Sequence, residues 1–296
     1  MTLEQLRIFI AVAERLHFTQ AAQALGLTQS AVSAAIGALE SRYAVDLFHR
    51  VGRHVELSAA GAAFLTEARD VLAAAAHAEA TFDDLAGLRR GRLALMGSQT
   101  IATYWLPPRL LAFRNACPGI AVDLSIGNTR QVAEAVAAGT VELGFVEGDI
   151  DNPVLERTAV DDDRLVLVVG RPYAWAGDQA LGPDEFRRLP WILREPGSGT
   201  RAATEALLAT RGLELGDVSV VLELPSNEAV RTAVEAGAGA SVLSLMVVST
   251  GLKAGMLTAA ACALPTRRFS RLRHRERRLG GGARAFVSAL KETPAP

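Results

Sequence analysis

The 296-residue sequence predicts an α/β chain that begins with an all-α, winged helix-turn-helix domain. Three observations predict it. Two short helical patterns flank Gly26 between Phe18 and Tyr43. A heptad-spaced apolar seam runs from Leu57 to Leu85. From Leu93 onward, short apolar runs alternate with helical patterns.

Leu3, Leu6, Ile10 and Ala13 mark a first amphipathic helix. Ala21, Ala22 and Leu25 put small and apolar groups on one face of a second. Gly26 is placed to end that helix, because glycine reaches the left-handed conformation without a steric cost. Thr28 offers a hydroxyl to the next helix as its N-cap. Val32, Ile36, Leu39 and Tyr43 then form one apolar stripe. Gln29, Ser33 and Gly37 fall on another face, with Ser30 and Ala34 beside them. These residues are small or carry an amide, so the face can approach a surface closely. In a helix-turn-helix the second helix enters the DNA major groove with its N-terminal residues on the base edges. Gln can bond adenine in two places, and Ser can bond several bases. After Tyr43, LFHRVGRHVELS reads as a two-armed wing around Gly52, with Arg50 and Arg53 suited to phosphates or a narrow minor groove. The expected DNA-contact set is therefore Thr28, Gln29, Ser30, Ser33, Ala34, Arg50 and Arg53.

The first sixty or so residues resemble the LysR-type transcriptional regulators. The match is carried by Leu3, Leu6, Phe9, Ala21, Ala22, Leu25, Thr28, Gln29, Ser30, Val32, Ser33, Ile36, Leu39, Glu40, Leu47, Phe48, Arg50, Leu57 and Gly61. Two departures bear on mechanism. Ala34 and Gly37 stand where the family often has longer polar side chains, which shifts specificity toward Gln29, Ser33, the wing and DNA shape. Arg7, Arg15, Arg42, Arg50 and Arg53 are balanced by Glu4, Glu14, Glu40, Asp46 and Glu56. Phosphate affinity per domain should then be modest, and paired half-sites read by a dimer are needed.

Half the residues are apolar and the formal charge is −1, which describes a globular chain and not a basic nucleic-acid coat protein. The two cysteines, Cys117 and Cys262, lie far apart, so no Cys-rich metal site is expected and a reducing cytoplasm is the natural compartment. The start, MTLEQLRIF, does not read as a secretory leader. No apolar run approaches the roughly 20 residues of a membrane span.

Ser58 is placed to cap a long helix running to about Leu88. Leu57, Gly61, Phe64, Ala68, Val71, Ala75, Ala78, Phe82 and Leu85 alternate spacings of four and three along it, a coiled-coil seam. Such a seam must be buried, and a partner helix from a second copy is the expected cover, ahead of packing on its own domain. GLRRGRL at 87–93 reads as a hinge. Strands are then expected at Leu93–Met96, Ile120–Ile126, Leu143–Val146, Leu165–Val169, Trp191–Leu193, Val218–Leu224 and Ser241–Leu245. Helices are expected at Ile101–Arg114, interrupted near Pro107 and Pro108, and at Arg130–Ala138, Ala202–Arg211 and Glu228–Ala236, with a loop rich in Asp before Leu165. The alternation implies open, largely parallel sheets with ligands at the carboxyl ends of strands.

Three strand ends carry anion-friendly residues: Ser98 and Thr100 in MGSQT, Asn128 and Thr129 in IGNT, and Gly197, Ser198 and Thr200 in REPGSGTR. Free N–H groups and helix dipoles can seat a carboxylate, sulfite, sulfate or phosphate there. Each hydroxyl could instead serve only as a cap. Together they favour a ligand cleft. Arg194 and Arg201 could add positive charge or could equally be ordinary surface salt-bridge residues. Glu147 would repel an anion and is better read as structural or as a partner to a ligand donor; Asn227 is a further candidate.

The family resemblance extends over this region. It implies a two-lobed, periplasmic-binding-protein-like (type II) effector domain. The implied division is 1–58 for DNA binding, 59–90 for the dimerising linker helix and 91–296 for effector binding. The first lobe would take about 92–161 and 269–296, the second about 162–268. IGNT, LGFVEG and REPGSGTR are similar to the branch with regulators of sulfite reduction (CysL) and carbon fixation (CbbR). That implies a small anionic effector and no other cofactor. Promoter DNA, RNA polymerase and a second copy of the chain, as a dimer or a dimer of dimers, are the implied partners.

The rival reading is an enzyme or solute-binding protein using the same cleft. Pro196 and Thr200 stand where a nucleophile elbow needs glycines, and no Lys follows the glycines as in a Walker loop. His17, His49, His54, His77 and His274 show no metal-ligand spacing, so no catalytic or metal site is expected. A second rival makes RRFSRLRHRERR at 267–278 the nucleic-acid contact; its alternation reads better as a strand with one solvated face.

Overall fold

The computed structural model describes residues 1–51, 54–85, 91–177, 181–264 and 266–292. It divides into two compact units, 1–87 with 138–140, and 88–137 with 141–296.

In the first unit, α1 (Leu3–Arg15) begins with a capping box between Thr2 and Gln5. Its buried side centres on Leu6, Phe9 and Val12, while Leu3 is exposed and Ile10 only half-buried. The expected stripe is thus rotated, because α1 packs against α4 as well as the two helices that follow it. α2 (Phe18–Leu25) buries Ala21 and Ala22 but leaves Leu25 exposed. Gly26 takes a φ of +67° at its end. α3 (Gln29–Tyr43) is capped by Thr28, whose Oγ1 accepts from the Ala31 N–H at 3.2 Å. Val32, Ile36 and Leu39 are buried, but Tyr43 is 52% exposed, so the stripe stops one turn early.

β1 (Phe48–Val51) and β2 (His54–Leu57) form the antiparallel wing, with Arg50 opposite Val55. The Glu40 carboxylate accepts from the Leu47 and Phe48 N–H groups at 2.8 and 3.2 Å and fixes the wing to α3. α4 (Ala59–Leu85) starts at Ser58, whose Oγ accepts from the Gly61 N–H at 2.8 Å. A Cβ at Gly61 would overlap the Leu47 carbonyl, so glycine is required by close approach. The first turns of the seam do not await a partner. Phe64 stacks within 5.0 Å of Phe9 and Ala68 is fully buried in the same core. Farther along, Val71 and Ala78 are exposed. The side chains of Phe82 and Leu85 lie outside the described residues, as does the expected hinge up to Arg90.

The second unit holds two five-stranded sheets. Its elements in order begin with β3 (Gly91–Ser98), a π-helical turn (Ile101–Trp105), α5 (Leu106–Ala116), β4 (Ile120–Gly127), α6 (Thr129–Ala137) and β5 (Leu143–Glu147). β6 (Leu155–Asp163), β7 (Leu165–Gly170), α7 (Pro183–Arg188), β8 (Pro190–Arg194) and α8 (Gly199–Ala209) follow. The chain continues with β9 (Ser219–Leu224), α9 (Asn227–Glu235), β10 (Ala240–Ser244), α10 (Leu245–Lys253), β11 (Leu257–Ala259), β12 (Arg267–His274) and α11 (Gly281–Glu292).

The first sheet has strand order β4-β3-β5-β12-β6, the second β11-β7-β10-β8-β9. The chain crosses between them at Arg164 and returns after β11. The sheets are mixed, not largely parallel. β12 runs antiparallel to β5 and β6, and β7 antiparallel to β10 and β11. The Asp-rich segment expected as a loop includes strand β6. It is an edge strand whose pairing with β12 supplies its backbone bonds, so its side chains can stay polar. Trp105, Phe113, Phe145, Phe269 and Phe286 fill one core; Phe186 stacks on Trp191 in the other. Pro107 and Pro108 sit in the first turn of α5, where a missing N–H is no loss.

Candidate functional site

On the first unit, Thr28, Gln29, Ser30 and Ala34 are exposed along one face of α3, and Ser33 is half-buried beside them. Gln29 Nε2 donates to Ser33 Oγ at 3.0 Å, which holds the carboxamide in place and does not use its oxygen, an acceptor. Thr28 Oγ1 and Ser30 Oγ lie 3.0 Å apart. Nothing would obstruct a Cβ at Gly37, so this face is smooth beyond Ser33. Arg50 is on β1 at the wing; its side chain and all of Arg53 lie outside the described residues.

In the second unit, the carboxyl ends of β3 and β4 meet those of β8 and β9. Ser98, Thr100, Asn128, Thr129, Ser198 and Thr200 are all buried at this meeting, and Gly197 is exposed at its rim with a φ of +91°. Asn128 and Ser198 do act as caps. Asn128 Oδ1 accepts from the Gln131 N–H at 3.0 Å, and Ser198 Oγ from the Thr200 N–H at 3.2 Å. The set does more than cap. Thr129 Oγ1 donates to the Glu147 carbonyl at 2.9 Å. Thr100 Oγ1 accepts from Asn227 Nδ2 at 3.0 Å, across the two sheets. Asn128 Nδ2 donates to Glu195 Oε1 at 3.2 Å, also across. Ser98 Oγ is buried with no hydrogen-bond partner among the described residues. A cavity of about 580 Å³ opens here between α6, the segment after β5, and the start of α8. Thr129, Gly197 and Ser198 line it; Ser98, Thr100, Asn128 and Thr200 do not.

Charge is concentrated below these hydroxyls. Arg267 Nε donates to Asp163 at 3.0 Å, and its Nη1 lies 3.4 Å from Thr200 Oγ1 and 3.8 Å from Glu147. Asp163 also accepts from Ser244 Oγ at 2.6 Å. Burial pushes the Glu147 carboxyl above its ordinary pKa, and the pull of Arg267 and a hydrogen bond from Thr100 only partly oppose it. Glu195 moves the other way. Burial would raise it, but the bonds and charge of Arg194, a backbone hydrogen bond and the bond from Asn128 together outweigh that. Arg194 and Arg201 are not free cations. Arg194 grips Glu195 at 2.8 Å and Asn227 Oδ1 at 2.6 Å. Arg201 pairs with Glu205 and Glu223. Sequence reasoning missed Arg267 and Asp163, since both sit in charged runs that read as solvated. The available signal for Arg267 was Phe269 two residues on, which lies on the same face of the strand and requires that face to be buried.

No helix among the described residues is long and apolar enough to cross a membrane. Residues 3–62 match the family model described as bacterial regulatory helix-turn-helix protein, lysR family, and residues 86–295 match the LysR substrate binding domain. The chain is 35% identical over 292 residues to an uncharacterized HTH-type transcriptional regulator, YeiE, of Escherichia coli (strain K12), covering 97% of this chain and 96% of that one. Among solved structures, full-length CbnR complexed with its target DNA superposes with a TM-score of 0.69 at 24% identity, over 99% of both chains. The regulatory domain of CcmR from Synechocystis PCC6803, in complex with 2-PG, gives 0.62 at 29% identity over 69% of this chain and 97% of that one.

Proposed function

The chain belongs to the LysR family of bacterial helix-turn-helix regulators, and on that premise we propose that its activity is set by a small anion held where the two effector-domain sheets meet. It is a DNA-binding transcriptional regulator with an effector-binding domain, not an enzyme. Ser98, Thr100, Asn128, Thr129, Gly197, Ser198 and Thr200 are the proposed ligand residues. The observation that carries this reading is Ser98 Oγ, a buried hydroxyl without a partner among the described residues. Such a group costs roughly 1–3 kcal/mol unless something bonds it. A ligand oxygen would bond it, and would meet the N-termini of α6 and α8 nearby. The complex of the related CcmR domain with 2-PG supports a small-molecule ligand in this class of domain.

At the other end, Gln29, Ser30 and Ser33 read base edges, Thr28 and Ala34 lie against the groove wall, and Arg50 and Arg53 hold the backbone. A homodimer, and then a dimer of dimers, places two such faces on paired half-sites. The anion favours one interlobe angle by its differential affinity for the two states. The dimer arrangement changes with that angle, and with it the DNA bend and the contact with RNA polymerase. The test is a titration of the full chain with sulfite, sulfate, thiosulfate, phosphate and small carboxylates, beside a promoter footprint. Ser98→Ala/Thr100→Ala should lose the anion-dependent change in footprint and keep DNA affinity. A double variant that still responds like wild type removes this site from the account.

A further inference from the structure

Hydrogen bonds and packing join the two lobes of the effector domain next to the hydroxyl cluster, through residues that carry no part of the proposed ligand set. The Gln99 carboxamide brackets the start of α9. Its Oε1 accepts from the Asn227 N–H at 2.7 Å, and its Nε2 donates to the Pro225 carbonyl at 3.3 Å. Gln99 follows β3 of the first sheet, whereas α9 packs on the second. Tyr104 makes a second crossing. Its hydroxyl donates to Glu228 Oε1 at 3.2 Å, and its ring packs on the second lobe's cluster around Val230 and Val247.

Tyr104 reaches across because of a local irregularity. Ile101–Trp105 is a π-helical turn, with the Leu106 N–H bonded to the Ile101 carbonyl five residues back. A π turn carries one residue more than an α turn, so removing it would swing the preceding side chains by about 100°. The next residue anchors the turn in the first lobe. Trp105 Nε1 donates to Asp161 at 2.6 Å, and the Arg109 guanidinium covers its ring at 3.9 Å. Trp105 therefore fixes the turn to one lobe while Tyr104 fixes it to the other. Isolated π turns are unfavourable and recur at functional positions, and here the two lobes share the task of holding one.

We propose that Gln99, Tyr104 and the π turn form a clasp on Pro225, Asn227 and Glu228 that holds the two lobes together by protein contacts alone, so that lobe closure does not wait for a ligand. The clasp does not depend on what the effector is. Its release is the step that frees the interlobe angle to change.

The Arg130 amide reports on the clasp without touching it. Arg130 N–H donates across the lobes to the Gly197 carbonyl at 3.2 Å. It sits in the first turn of α6, where an N–H has no acceptor within its own helix. Hydrogen–deuterium exchange of the full chain, with no ligand added, is compared for wild type, Gln99→Ala, Tyr104→Phe and the double variant. Peptides from β3 and β5 serve as the folding control. The clasp requires faster exchange not only at the start of α9 but also in the peptide containing Arg130, by about five-fold or more in the double variant. Faster exchange confined to residues 225–229, with Arg130 unchanged, reduces Gln99 and Tyr104 to local caps and overturns the proposal. If the double variant loses protection in β3 and β5, the single variants decide on the same two peptides.

Discussion

Glu147 shows how one buried side chain links pH to stability. Its folded pKa is raised, chiefly by burial, while its unfolded pKa is ordinary. The folded chain therefore binds this proton more tightly than the unfolded chain does. Stability contributed by the protonated form is present below the ordinary carboxylate value and falls as pH rises through the raised one. Glu147→Gln should remove that portion of the fall. Urea midpoints of the full chain, taken across a pH series, check it, and parallel curves for the two proteins would mean that Glu147 titrates as an exposed acid. At this scale the sequence was readable where a residue acts on its own neighbours. Thr28, Ser58 and Gly26 do what their types do at helix ends. It was not readable for Arg267, whose partners Asp163 and Glu147 lie 104 and 120 positions away in the chain.

The elements divide along the same line. Helices with a clear apolar period fall where the pattern puts them, to within a few residues. Two short helices, α7 and α10, were not expected, and among the strands the errors came where pairing, not pattern, makes the element. β6 has little apolar alternation and exists because β12 offers it a ladder. β11, three residues long, exists because β7 does the same. The α4 seam is a subtler case. Its heptad spacing is continuous, yet Phe64 and Ala68 are consumed by the core beneath them, whereas Val71 and Ala78 farther along are exposed. The dimer contact should then lie in the later turns. Val71→Glu/Ala78→Glu should shift the full chain toward monomer in sedimentation velocity while leaving the helix-turn-helix folded. A similar charge pair that left the dimer intact would place the contact elsewhere on the molecule.

At the scale of the whole molecule, the question is which basic residues meet DNA. The carboxy-terminal arginines are already engaged. Arg273 pairs with Glu156, Arg275 Nε donates to the Pro153 carbonyl at 2.9 Å, and Arg277 Nη1 donates to the Ala137 carbonyl at 3.1 Å. Arg273→Gln/Arg275→Gln/Arg277→Gln should therefore leave promoter affinity within about two-fold of wild type. Arg50→Gln/Arg53→Gln should weaken binding across sequences and lower the salt slope by about 1 per arginine lost. Filter-binding titrations at several salt concentrations distinguish the two, and equal losses would move the DNA contact to the carboxy-terminal run. By itself the sequence determined the helix-turn-helix with its caps and turn, the wing, the strand–helix alternation and the hydroxyl-bearing strand ends. Each of these is written in contiguous residues, where spacing and backbone chemistry act over a few positions. Only the tertiary structure decided that the sheets are mixed, that Arg194 and Arg201 are neutralised, that Ser98 is buried without a partner among the described residues, and that Gln99 and Tyr104 span two lobes. Those outcomes depend on which distant strand or helix arrives alongside, and on the cost of burying a charge or a hydroxyl once it does.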